Sequence, residues 1–324
     1  MRPIILAGHE RPVTQVIYNR EGDLLFTAAR DRSPMVWRAQ QGGARLGTFE
    51  GHGGAIISID VTADSKYLIT GSADNSARMW EVNGGKQVFQ WDFKCPVSSV
   101  SISPDEKHVA FATSMLMKQE PEIHIMKFSN DPSTLEAEKV QSLKGPKVTM
   151  SRALWTGAGD HIICGAEDGT VRKFDVKSGE EIACVKEHAG GINDLQIAPN
   201  KVHFITASAD KTAKLWDLED MSILKTFKTE RPVNSAAISP LMDHIVLGGG
   251  QDASQVTTTT TQERFDSRFY HKIYETEIGK VGGHFGPINA VAFSPDGKQY
   301  TSGGEESVVR MHNLDEEYFT KNYN

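Results

Sequence analysis

Residues 51–80 read GHGGAIISIDVTADSKYLITGSADNSARMW, and within them Thr70, Asp74 and Trp80 stand 18, 22 and 28 places after His52. The same offsets from His9 meet Thr27, Asp31 and Trp37, and from His188 they meet Thr206, Asp210 and Trp216. From His284 they meet Ser302, Glu306 and His312. Self-similarity at fixed spacing marks a repeat architecture and takes precedence over any local assignment. Apolar residues keep the register at offsets 4, 7 and 9, as in Ile56, Ile59 and Val61 or Ile192, Leu195 and Ile197. That ruler finds weaker copies from Phe93, Pro146 and Thr229, so seven copies begin near residues 9, 52, 93, 146, 188, 229 and 284.

Each copy consists of short apolar runs separated by turn residues, such as Ser294-Pro295-Asp296-Gly297 after the first run and Ala209-Asp210-Lys211 after the second. Asp, Asn, Pro and Gly at these points suit tight strand connections. One small antiparallel sheet cannot bury both its faces, but seven arranged radially can, which predicts an all-β, seven-bladed propeller. A short strand precedes each histidine, as in Arg45 to Phe49, Glu181 to Val185 and Ile223 to Phe227; before His9 it is Pro3 to Leu6. Little follows His312, so the N-terminal strand is expected to complete the last blade and close the ring, making residues 1–324 one domain.

The chain has 324 residues, 39% of them hydrophobic and 24% charged, an ordinary globular composition. Its formal charge of −7 and pI near 5.9 disfavour a phosphate backbone as direct partner. Cys95, Cys164 and Cys184 form neither a CxxC pair nor a zinc pattern, so no disulfide framework or metal site is expected. No apolar run approaches membrane-spanning length, and the expected setting is the cytoplasm.

Imidazole, hydroxyl and carboxylate at His52, Thr70 and Asp74 are the parts of a nucleophilic triad. An active site does not recur at equal offsets in one chain, whereas a structural network must. The expectation is therefore a hydrogen-bond chain in which the indole donates to the hydroxyl and the imidazole links hydroxyl to carboxylate, with no catalytic residue and no cofactor. Phosphate loops of the GxxxxGK[ST] type and HExxH metal motifs are absent. Gly248-Gly249-Gly250 reads as a turn or bulge. Residues 251–274 interrupt the sixth copy and read either as a strand with an exposed loop or as a docking feature. A smaller insertion spans about Met115 to Pro121. Asp217, Glu219 and Asp220 follow Trp216, and Glu230 sits at the next inter-blade turn; they read either as a solvated acidic loop or as an acidic rim that pairs with a basic or amphipathic helix.

Gly51-His52 with Met79-Trp80, Gly8-His9 with Val36-Trp37, and Leu215-Trp216-Asp217 resemble the WD-repeat family. The non-repeated detail goes further: residues 8–31, 71–80 and 248–306, with Tyr318-Phe319 at the close, resemble the family of i subunits of eukaryotic translation initiation factor 3 from one end of the chain to the other. That resemblance implies a non-catalytic scaffold in the factor that brings mRNA and initiator tRNA to the small ribosomal subunit. The implied partners are the b subunit, through its C-terminal segment, and the g subunit, with the ribosome reached indirectly. The alternatives are a cytosolic signalling adaptor or modified-peptide reader, and a propeller enzyme, for which no surplus His, Asp or Glu cluster stands out. Phe93, Pro146 and Thr229 replace the histidine in copies three, four and six, where the network is not expected to form.

Overall fold

The spacing of 4, 7 and 9 is not the strict alternation of a flat strand, and the structure shows why it nevertheless serves one face. In a computed structural model describing residues 2–40, 42–117, 119–250 and 265–321, the inner strand Ile56–Val61 pairs Ile56 with Ser72 but Ser58 with Gly71. The extra residue, Ile57, forms a bulge that turns the strand by one residue. Ile56, Ile59 and Val61 therefore enter one core cluster despite the odd first interval. The same shift recurs at the start of all seven inner strands.

Seven antiparallel four-stranded sheets result. Blade two runs outward through Ile56–Val61, Tyr67–Ser72, Ser76–Glu81 and Gln87–Asp92. The other inner strands are Val13–Tyr18, Val97–Ile102, Met150–Trp155, Ile192–Ile197, Val233–Ile238 and Ile288–Phe293, for blades one and three to seven. The core lies between blades: Phe26, Val36 and Phe49 of blade one, for instance, pack on Ile56, Leu68 and Trp80 of blade two. Between inner and second strands, Gly22, Ser65, Glu106, Gly159, Lys201 and Gly297 take positive φ. Gly297 there stands against Leu241 and Pro240 of the preceding blade, where a Cβ would lie 2.6 Å from Leu241 Cβ. At that place glycine relieves both the left-handed backbone and the close approach.

Closure follows the expected route. Ile4–Leu6 is the outer strand of blade seven, pairing Ile4 with Met311 and Leu6 with Val309. The three short outer strands expected ahead of His52, His188 and Thr229 are found within a residue, as Arg45–Thr48, Glu181–Lys186 and Ile223–Lys228. The C-terminus holds more than expected: Glu316–Thr320 is a helix capped by Asp315, and it buries Tyr318 against Phe269 and Tyr300 of blades six and seven.

Two expectations need correction. Within 251–274, Phe265–His271 is the regular third strand of blade six, paired with His244–Gly249 and Glu277–His284, because alternate residues Ser267 and Phe269 can be buried there. The threonine run lies in 251–264, outside the described residues. Gly248 and Gly249 end a strand rather than form a turn, and the bulge of the inner strand, between Val233 and Ser235, lies opposite them. Ile288 and Val291 press on Gly248, leaving no room for a side chain.

Candidate functional site

Three blades build the repeated constellation identically. In blade two, Trp80 Nε1 donates to Thr70 Oγ1 at 2.9 Å, Thr70 Oγ1 lies 2.6 Å from His52 Nε2, and His52 Nδ1 lies 2.8 Å from Asp74 Oδ2. Blade one repeats these contacts with Trp37, Thr27, His9 and Asp31 at 2.9, 2.7 and 2.6 Å. Blade five does so with Trp216, Thr206, His188 and Asp210 at 2.8, 2.7 and 2.8 Å. An indole can only donate, so the threonine oxygen accepts from it and sends its own proton to Nε2; the imidazole then carries its hydrogen on Nδ1 and donates to the carboxylate. Thr70 and Trp80 are fully buried, so the hydroxyl has no approach for a substrate.

The electrostatics agree with that proton placement. Burial lowers the affinity of His52 and His188 for a proton, outweighing the pull of Asp74 and Asp210, and keeps both rings toward the neutral form. Burial pushes the Asp74 carboxyl upward, but hydrogen bonds from Ser76, His52 and the Gly53 amide outweigh it and hold the group below the ordinary range. The carboxylate thus ties the loop before the inner strand to the turn between second and third strands.

Blade seven carries only part of the chain. His284 reaches Ser302 at 2.7 Å and Glu306 at 2.5 Å, but His312 stacks on Tyr300 with centroids 4.7 Å apart, and its Nδ1 has no hydrogen-bond partner among the described residues. In blade three Phe93 packs on Phe111 and His124 instead, and in blade six Thr229 bonds to the Lys211 carbonyl.

A second set of polar residues, absent from the sequence reading, links neighbouring blades around the central channel. At offset 6, Gln15, Ser58, Ser99 and Ser235 accept from Ile59, Val100, Ala153 and Val291 amides of the following blade at 2.9–3.1 Å. Arg152 and Asp194 hold the same offset and meet as a buried pair, Nε to Oδ1 3.0 Å. At offset 5, Asn193, Asn234 and Asn289 donate to carbonyls of the next blade, the last of them, Val13, across the closing seam. The available signal was a polar pair recurring inside otherwise apolar strands. Gln15, Arg152, Asp194 and Ser235 line a channel cavity of about 370 Å³, where burial raises the Asp60 carboxyl to about 6.

The four acidic residues do not form one rim. Asp217 ends the third strand of blade five and Glu219 and Asp220 follow it, whereas Glu230 follows the outer strand Ile223–Lys228. Trp216 pairs with Ile223 and Thr212 with Lys228, so the two sites stand at opposite ends of strands about 17 Å long. Asp217 Oδ1 accepts the Glu219 amide at 2.8 Å, while Glu230 pairs with Arg268 at 3.1 Å beside a cavity of about 340 Å³ lined by Arg231, Gly249 and Phe265. Among the described residues no group of three His, Cys, Asp or Glu could hold a metal ion, and no helix is long and apolar enough to cross a membrane.

The EIF3I family model matches residues 1–324, the whole length over which this geometry is built. The chain belongs to the family of eukaryotic translation initiation factor 3 subunit I. It is 46% identical to the protein of that name from Candida glabrata, covering 100% of this chain and 95% of the relative. Subunit I of Taeniopygia guttata and of Drosophila grimshawi are each 46% identical, with 98% of both chains covered. The subunit I relatives thus match both the blades that carry the hydrogen-bond chain and those that lack it.

Proposed function

We propose that this chain is a non-catalytic scaffold of the cytoplasmic initiation factor 3 assembly, supporting recruitment of mRNA and initiator tRNA to the small ribosomal subunit through protein contacts. The observation that carries the reading is the end-to-end match to subunit I. The burial of the histidine and threonine of each His–Thr–Asp set supports it, because the polar groups that resemble catalytic machinery are satisfied within their own blade. The proposed partners are the C-terminal segment of the b subunit and the g subunit. Asp217, Glu219 and Asp220 at one end of blade five, and Glu230 at the other, are proposed as separate contact points for basic partner residues, which association favours through charge complementarity.

Affinity purification of the tagged chain from cell extract, followed by reconstitution with purified b tail and g, tests the reading. Recovery of initiation factor 3 subunits and direct binding of both segments are expected. Recovery of a receptor or chromatin protein without those subunits would replace it with the signalling or peptide-reader alternative.

A further inference from the structure

Blade seven differs from its neighbours at one buried cation. In blades two, four and six the middle of the third strand carries an arginine that reaches an oxygen on the outer strand nine residues later. Arg78 Nη1 donates to Gln87 at 2.9 Å, Arg172 Nη1 to Glu181 at 2.6 Å, and Arg268 Nη1 to Glu277 at 3.4 Å. The acceptor stands opposite the residue two places after the arginine, in the pairs Trp80–Gln87, Phe174–Glu181 and Tyr270–Glu277. Blade five has a half-buried Lys214 at this place.

Arg310 is the counterpart in blade seven, paired with Ser302 on one side and Ile5 on the other. Here the outer strand is borrowed from the N-terminus. Every other blade carries a bulge here, so the acceptor lies two residues before the one that faces the position after the arginine; counted back in the same way from the Ile4–Met311 pair, the place of Gln87, Glu181 or Glu277 falls to Arg2, whose side chain cannot accept a hydrogen bond. Arg310 keeps only 8% exposure, and its Nε is enclosed with no acceptor, as is that of Arg78, whose Nη1 nevertheless reaches Gln87. Among the described residues no carboxylate or carbonyl bonds to any nitrogen of this guanidinium. The Gly283 backbone lies along it, with room for a Cβ only 3.6 Å from Cδ, Cζ and Nε. Glu306 gives Oε1 to His284 and its Oε2 bonds to nothing among the described residues, His312 is driven to about 4 by burial and by the charges of His284 and Arg310, and Pro3, which follows Arg2, offers no side-chain acceptor. A buried guanidinium without a counter-charge is costly, and a carboxylate removes that cost through paired, charge-assisted bonds.

We infer that Arg310 is a receptor for a glutamate side chain of a partner's acidic segment, which enters beside Arg2 and takes the place that Glu181 and Glu277 occupy in their own blades. The inference stands independently of the assembly proposed above.

The test uses the full chain labelled with ¹⁵N-arginine and an N-acetyl tetraglutamate amide as probe, with inorganic phosphate as the comparison anion. The Arg310 Nε–H resonance, assigned by its loss in Arg310→Gln, is expected to shift saturably with the peptide. Arg310→Gln should weaken peptide binding at least tenfold at an unchanged melting temperature, and Arg310→Lys should weaken it less. Arg2→Glu should supply the missing carboxylate from within the chain, lowering peptide affinity at least tenfold in a protein that melts no lower than wild type. A shift produced equally by phosphate would overturn the peptide reading in favour of a free-anion site. Absence of any shift, or peptide affinity unchanged in both folded Arg310→Gln and folded Arg2→Glu, would overturn the receptor altogether.

Discussion

At the scale of the residue, the recurrent histidine, threonine, aspartate and tryptophan act as one unit per blade, so the cost of removing a member depends on what it leaves buried. Trp80→Ala or Trp216→Ala removes a fully buried indole and leaves the threonine oxygen without its donor. A loss of about 3–5 kcal/mol follows from cavity formation, with the unpaired hydroxyl adding to it. Ser302→Ala in blade seven should cost less than Thr70→Ala, since no indole donates to Ser302; urea unfolding of the three kinds of variant checks the order, and equal midpoints would contradict it. The acidic residues belong to this scale too. Asp220 and Glu230 are exposed, so Asp220→Lys and Glu230→Lys should each leave stability within about 0.5 kcal/mol. Because they stand at opposite ends of blade five, a single partner helix should respond to one reversal and not the other. Calorimetry with the b subunit tail over a salt series distinguishes them, and two equal, salt-independent affinities would remove both residues from the contact.

At the scale of the element, two short terminal segments carry more than their length suggests. Ile4–Leu6 supplies the fourth strand of blade seven, so deleting residues 1–6 leaves Val309–Asn313 as an unpaired edge, which invites edge-to-edge association. Light scattering and a thermal melt should show aggregation and a lower midpoint; a monomer melting like the full chain would refute the clasp. The helix Glu316–Thr320 is a second fastening, because Tyr318 packs on Phe269 and Tyr300, and its hydroxyl lies 2.9 Å from His244 Nδ1. Tyr318→Ala should cost about 3–5 kcal/mol as a buried-aromatic deletion, whereas Phe319→Ala, at a partly buried site, should cost less. Only the first segment was legible beforehand: a strand can be inferred where a repeat lacks its fourth member, but five residues after Leu314 carry no repeat to compare them with.

At the scale of the whole molecule, protonation couples all the blades to pH. Burial first, and neighbouring positive charge next, lowers His124, His244 and His312 to about 4, against about 6.5 in an unfolded chain. Between those values the unfolded state binds more protons, so stability is full above about pH 6.5 and declines as pH falls toward 4. Asp60, raised to about 6, acts in the opposite sense, since the folded state then binds its proton first. Three histidines outweigh one carboxyl, and the melting temperature should drop by several degrees between pH 7 and pH 5. Below that window the depressed carboxyls Asp31, Asp74 and Asp210 add a further loss as pH falls below about 4, the unfolded value. A melting temperature constant from pH 7 to 5 would show that these rings are solvated in the folded state.

Four polar offsets and three apolar ones, repeated along the chain, determined the number of blades, their order and the way the ring closes. They sufficed because every blade must bury the same faces and satisfy the same internal hydrogen bonds, so His52 and His188 repeat with the fold itself. The strand Phe265–His271 was hidden because the preceding segment breaks the ruler, and a strand displaced in sequence keeps its place in space. The channel links through Ser58, Arg152 and Asn289 were settled only by tertiary structure, as their partners lie in the next blade and only the closed ring brings the two copies side by side. The opposition of Asp220 and Glu230 was likewise decided there: ten residues apart in sequence, they are separated by the full length of an antiparallel strand. So was the solitude of Arg310, whose missing acid becomes visible only when the strand beside it proves to come from the other end of the chain.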